Sequence, residues 1–427
     1  MRHVHRAAAV AAALTATLAL TSCAGSTDEA APMAPATATP TETDMATPMA
    51  ALMPISTGDP FADVRTAAAH MPETALTLAT GLAAATGTDG EVDSEAAALR
   101  STLTALLQEH VYLAGYAVAT AYVAGADSAE FTAAASALDA NSVDLSDAIG
   151  SLAGEENGAA FLDQWRAHIG FFVDYALAAK TGDQAGKDAA LTSLQGYTTA
   201  AGAFFEQISA GNLPAADIAM SFGMHITSLT AAIDALAAGD PTAPTALQAA
   251  AAHMGEASAT IATGLDAALD LPGDPNDGAS ALRAGLTNLL QEHVYLAGLA
   301  VFTAYTAEGG VESEAFTQAA ATLDANSVAL SQAVASLSDE QHGTDFLSLW
   351  RAHIGFFVDY AVARATGDDA AADASLVDLD GYRPAAGAFF EEVSGGELPA
   401  DAVAEGLGHH VETLAGAIDS LAAALVG

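Results

Sequence analysis

WRAHIGFFVDYA at residues 165–176 returns letter for letter at 350–361, and its phase decides the fold. Phe161, Trp165, His168, Phe172, Tyr175 and Ala179 follow one another at alternating intervals of four and three. That is the stripe a helix turns toward a bundle core, whereas a half-buried strand would alternate every second residue. His168 lies in the stripe, so its imidazole is expected inside.

The repetition extends well beyond this segment. AAHM at 68–71 recurs at 251–254, LLQEHVYLAG at 106–115 recurs at 289–298, and LDANSV at 138–143 recurs at 323–328, an offset of 183 to 185 residues. Solenoid units repeat every ~20–50 residues, so this is a tandem domain duplication, with copies at 61–240 and 241–427. A chain of 427 residues has the length for two such domains. Apolar residues recur at three and four throughout, and Gly, Pro or Asp mark the breaks. Helices are expected in the first copy at about 61–85, 95–124, 128–152, 158–180, 184–209 and 215–238. Asp127 is the expected N-cap of the third, Pro214 opens the last, and Gly196 should break or kink the fifth. The fold class is all-α: a duplicated, roughly six-helix antiparallel bundle.

The first residues read differently. Arg2 and Arg6 precede the apolar run AAAVAAALTATLAL, which is too short for a membrane span and has the form of a signal peptide over residues 1–22. It ends in LTSC at 20–23, which resembles a bacterial lipobox. That resemblance implies cleavage before Cys23, lipid on its sulfur, attachment to a membrane and a place on the extracytoplasmic face of the cell envelope. Cys23 is the chain's single cysteine, so neither a disulfide nor a thiolate metal site is expected. Residues 23–60 are rich in Pro, Thr, Ala and Met and read as a disordered tether.

Charge limits the partners. The chain carries 53 acidic and 11 basic residues, a formal net charge of −42, and cleavage would remove two of the bases. Nucleic acid and anionic lipid surfaces are poor partners for such a molecule, while cations are concentrated around it. No protein partner is legible.

The histidines supply the functional signal. Eight fall at matched positions: His70 with His253, His110 with His293, His168 with His353, and His225 with His410. His225 lies on a stripe with Ile218, Phe222, Leu229 and Ala232, and His110 on one with Leu103, Leu107 and Ala117, so both should point inward. His70 sits about 100° from the stripe of Val64, Met71, Leu78 and Leu82, beside the core. Several imidazoles in one apolar interior are costly unless each ring nitrogen finds a partner, and a bound metal ion satisfies them together. Glu109, Asp139, Asn141 and Asp174, with Glu292, Asp324, Asn326 and Asp359 in the second copy, are candidates for further ligands or for carboxylates and amides that orient the ligating rings. Arg100 and Arg166, matched by Arg283 and Arg351, are expected to neutralise these acids.

Imidazole suits copper, zinc, iron and nickel, and the thioethers of Met71 and Met254 beside His70 and His253 favour copper. The expected role is sequestration, sensing or delivery of that ion. One alternative is a structural or interaction lipoprotein whose core histidines are hydrogen-bonded to the acids just named. Another is a haem or di-iron redox bundle, with similarity to hemerythrin and ferritin-like proteins limited to helices carrying inward histidines. No catalytic Ser/His/Asp order, glycine-rich phosphate loop or HExxH motif is present, so enzymatic activity is not the expectation.

Overall fold

A computed structural model describes residues 52–426. The expected signal peptide, Cys23 and the expected tether up to residue 51 lie outside the described residues. The first copy comprises α1 (Pro60–Ala69), α2 (Met71–Thr86), α3 (Glu95–Val123), α4 (Ala129–Ala153), α5 (Glu155–Thr181), α6 (Gln184–Ile208) and α7 (Ala215–Ala238). The second comprises α8 (Ala243–Leu269), α9 (Gly278–Thr306), α10 (Glu314–Leu337), α11 (Glu340–Thr366), α12 (Asp369–Val393) and α13 (Ala400–Leu425). A 3-10 turn at Gly310–Glu312 precedes α10, and no strand occurs among the described residues. No helix among them is long and apolar enough to cross a membrane.

Local chemistry sets the helix ends. Ser94, Ser128 and Asp183 hold extended backbone and accept from the amides of Ala97, Phe131 and Gly186, as N-caps do. Ser128 therefore takes the capping position expected of Asp127, and Pro214 sits one residue before α7 as its N-cap. Gly196 does not break α6. It lies on the exposed side, and burying Leu194, Tyr197 and Ala201 along one face outweighs the ~1 kcal/mol a helical glycine costs. The first helix does break, at His70. Pro72 follows, has no N–H to give and cannot continue α1, whereas its counterpart in the uninterrupted α8 is Gly255.

The two copies are interlocked. α3 and α9 lie side by side at the centre, joined by a Ser101–Thr287 hydroxyl pair at 2.8 Å. The contacts are reciprocal, as in an isologous interface. Arg100 donates to the carbonyl of Pro275 at 2.7 Å and Arg283 to that of Val92 at 3.0 Å, while the amides of Ala96 and Ala279 reach Pro272 and Asp89. These arginines therefore hold the other copy's loop instead of neutralising the acids as expected.

The first helix of each copy also crosses over. α1 packs on α13 and α9, α2 packs on α9, and α8 packs on α3 and α7. Glycines make room for the crossing: Val64 lies over Gly298, and Leu247 over Gly115, where a Cβ would collide with it. Each bundle is thus completed by a helix from the other repeat. Residues 52–58 continue this embrace along α13, where the Ile55 amide donates to the Glu412 carbonyl at 2.9 Å. The Ile55 carbonyl occupies the space a side chain at Gly416 would need.

Candidate metal centre

Three helices of each bundle deliver one histidine apiece to a common point. His110 on α3, His168 on α5 and His225 on α7 each present a ring nitrogen within 4.8 Å of the others, and His293, His353 and His410 do the same on α9, α11 and α13. All six rings are buried. Ring centroids lie 5.2 Å apart for His110–His168 and 5.9 Å for His110–His225, and 5.2, 6.0 and 6.4 Å among the second three. Imidazoles sharing one ion at metal–nitrogen distances of ~2.0–2.1 Å have centroids roughly 5–6.5 Å apart, and these five pairs match that requirement.

Aromatic walls fix the rings. Tyr197 stacks on His168 at 4.6 Å and Trp165 meets it edge-on at 4.4 Å, with Tyr382 and Trp350 in the same places around His353. The tyrosines were not among the expected site residues. Their signal was present in the sequence as GY–AAGAFFE, which occurs at 196–206 and again at 381–391.

The ring nitrogens have little to bond to. In the first triad all six are buried without a hydrogen-bond partner among the described residues. In the second, His353 Nε2 and His293 Nε2 meet at 3.3 Å, and the Nδ1 atoms of all three rings and Nε2 of His410 remain unpartnered. A buried polar group without a partner costs ~1–3 kcal/mol, so each triad represents several kcal/mol in a protein class whose whole stability is ~5–15 kcal/mol.

Burial also keeps the rings neutral. It pulls His168 down to about 3, aided by neighbouring His225, and His410 down to about 4, aided by His70 and His409. Burial likewise pushes His110, His225, His293 and His353 well below the usual histidine range, with adjacent imidazoles adding to the shift. The main-chain carbonyls of Trp165 and Trp350 oppose the shifts of His168 and His353 without closing a hydrogen bond. Neutral imidazole with a free lone pair is the form that binds metal.

The polar residues expected to support the histidines lie elsewhere. Glu109 accepts from Arg65 at 2.6 Å, Asn141 at 3.1 Å and Tyr295 at 3.0 Å, and Glu292 accepts from Gln248, Asn326 and Tyr112. On a helix, adjacent residues point about 100° apart, so Glu109 and Glu292 face the seam between the copies while His110 and His293 face the bundle interiors. Asn141 and Asn326 serve those glutamates. Asp139 and Asp324 form surface ion pairs with Arg166 and Arg351, the one place where the expected neutralisation is found. Asp174 and Asp359 are exposed. Met71 and Met254 are buried core residues, and among the described residues no carboxylate joins either triad.

His70 and His253 also miss the triads of their own repeats. Helix exchange puts His70 against His409, with ring centroids 3.9 Å apart, and ties His253 Nε2 to the Ser221 carbonyl at 3.0 Å. The arrangement can therefore offer three neutral nitrogens at each of two points inside a dry, aromatic-lined interior. No family profile, curated protein or solved structure matches this chain.

Proposed function

We propose that each triad holds one transition-metal ion, so that the chain binds two, and that it serves to sequester, sense or deliver that metal. The observation that carries this reading is the convergence of three unpartnered, neutral imidazoles from three helices, repeated in both copies. An ion takes up one nitrogen of each ring in one step, and the binding free energy of a metal site, on the order of 10 kcal/mol, is ample to offset the cost of burying the rings.

Copper is the favoured ion. Copper(II) heads the affinity order for nitrogen sites, and the expected help from methionine is not needed for that. Charge argues for the cuprous form in the resting site. Among the described residues no carboxylate joins either triad, and desolvation costs a monovalent ion far less than a divalent one. We place the protein on the extracytoplasmic face of a bacterial membrane, held by lipid on Cys23. That placement rests on the LTSC sequence and is tested by loss of lipid labelling in Cys23→Ala.

Other readings fare less well on geometry. A haem would need a slot between two axial histidines, and at His168 and His353 that space is filled by stacked tyrosine and tryptophan rings. A di-iron site would need bridging carboxylates, which neither triad has. The deciding experiment is native mass spectrometry of metal-loaded protein, with two ions expected per chain. His168→Ala should remove one and the pair His168→Ala/His353→Ala both; undiminished metal in the double variant would reject the site.

A further inference from the structure

The two triads are alike, but their surroundings are not. A cavity of about 280 Å³ adjoins the second, lined by His410, Trp350 and Met71 at its buried end and by His70, Glu73 and His409 toward the surface. His410 is buried with both ring nitrogens unpartnered, His70 is half-buried with its Nε2 unpartnered, and His409 is exposed. Three imidazoles thus lead from solvent to the triad. In the first bundle the same series is cut twice. His253, the counterpart of His70, is tied to the Ser221 carbonyl, and Met224, exposed on α7, stands where the second copy has His409.

The broken first helix places this path. Pro72 ends α1 at His70, so the imidazole stands at a helix junction, next to His409 on α13 of the other repeat. We propose that His70 and His409 form a metal-acquisition site at the mouth of the second triad, which takes the ion from solvent and passes it through the cavity to His410, and that the first triad loads without such a port. The inference rests on the two-site metal reading above. At a centroid separation of 3.9 Å the two rings are in contact, closer than two ligands of one ion stand, so capture requires them to part. The exposed position of His409 allows this by side-chain rotation. The surrounding acidity, with Glu73 in the lining, draws cations to the opening.

Loading kinetics test the proposal. Metal-free full-length chain mixed under reducing conditions with Cu⁺ held on a weak chromophoric chelator should take up two ions in two phases, one ion each. The fast phase belongs to the second triad and should vanish in His353→Ala. His409→Met, which installs the first copy's residue, and His70→Gln should each slow that phase by about tenfold, while the final count stays at two and the slow phase is unchanged. If the double variant His70→Gln/His409→Met loads two ions with both phases at wild-type rates, the acquisition site is overturned and the triads stand. If wild-type protein takes up no Cu⁺, the metal reading itself fails, and this inference with it.

Discussion

Tyr112 and Tyr295 stack across the seam between the two repeats, with ring centroids 5.2 Å apart and planes 11° from parallel, and each hydroxyl donates to the glutamate of the opposite copy. The relationship explains why QEHVY persists at both positions. In each copy the glutamate and tyrosine hold the seam while the histidine, one residue along and turned about 100° away, faces the bundle interior. Two jobs share five residues.

The two glutamates are not equivalent, because Arg65 in the first copy is replaced by Gln248 in the second. Burial pushes both carboxyls up; at Glu109 the Arg65 cation opposes it, while Glu292 meets neutral donors alone. Glu109→Ala, which leaves buried Tyr295 and Asn141 without their acceptor and Arg65 paired to Asp144 alone, should cost ~1–3 kcal/mol in urea unfolding, and Glu292→Gln less than about 1 kcal/mol. A raised folded-state value means that stability is full below the unfolded value near 4.5 and declines as pH rises toward the folded one. Glu292→Gln should therefore gain on wild type as pH rises above that point, and a constant difference across the titration would contradict the assignment.

For the metal-free protein the histidines give the opposite slope. Their folded values are depressed, so their contribution is complete above the unfolded value of 6.5 and is lost as pH falls toward about 4 for His410 and about 3 for His168. Each such ring adds ~1.4 kcal/mol per pH unit to the slope within that window. Replacing His168 and His353 with Leu should flatten the acid limb of a melting-temperature profile. Bound metal should also survive below pH 6.5, contrary to the behaviour of solvent-exposed histidine, because the rings stay neutral there.

Metal should stabilise the fold by mass action. An ion at 100 times its dissociation constant raises unfolding free energy by ~2.7 kcal/mol per site. Calorimetry with and without copper under reducing conditions should show a melting temperature that climbs with free metal in wild type and stays fixed in His168→Ala/His353→Ala.

Helix exchange predicts how the repeats behave apart. Residues 61–240 alone lack α8, leaving the apolar faces of α3 and α7 uncovered, and carry α1 and α2 with no α9 or α13 to receive them. Light scattering should find this piece as a dimer that exchanges its first helix, or as aggregate, and mixing it with 241–427 should yield a one-to-one complex. A folded monomer would contradict the interlock.

The strap over α13 has its own test. Gly416→Ala puts a methyl group where the Ile55 carbonyl lies, and backbone cannot yield as a side-chain tip can. We expect residues 52–58 to lift off, limited proteolysis to cut ahead of Phe61, and unfolding to come ~1–3 kcal/mol earlier.

Helical phase alone placed His110, His168 and His225 on inward stripes, and the spacing of breakers located the helices to within a few residues, because burial periodicity and caps are local properties. The exception is the first, expected whole over 61–85 and split at His70. Identity between the copies marked both triads. What no local pattern could reveal is which copy each first helix would join. His70 looked like a fourth member of its own repeat's cluster, yet it stands beside His409, since a linker of a few residues permits either choice and packing into the groove of α9 and α13 decides it. The same applies to Glu109, next to His110 in sequence but directed to the seam, and to Asp139, which turns to solvent. Sequence determined which side chains go inside; the tertiary arrangement decided which of them meet, because meeting depends on the relative placement of helices far apart in the chain.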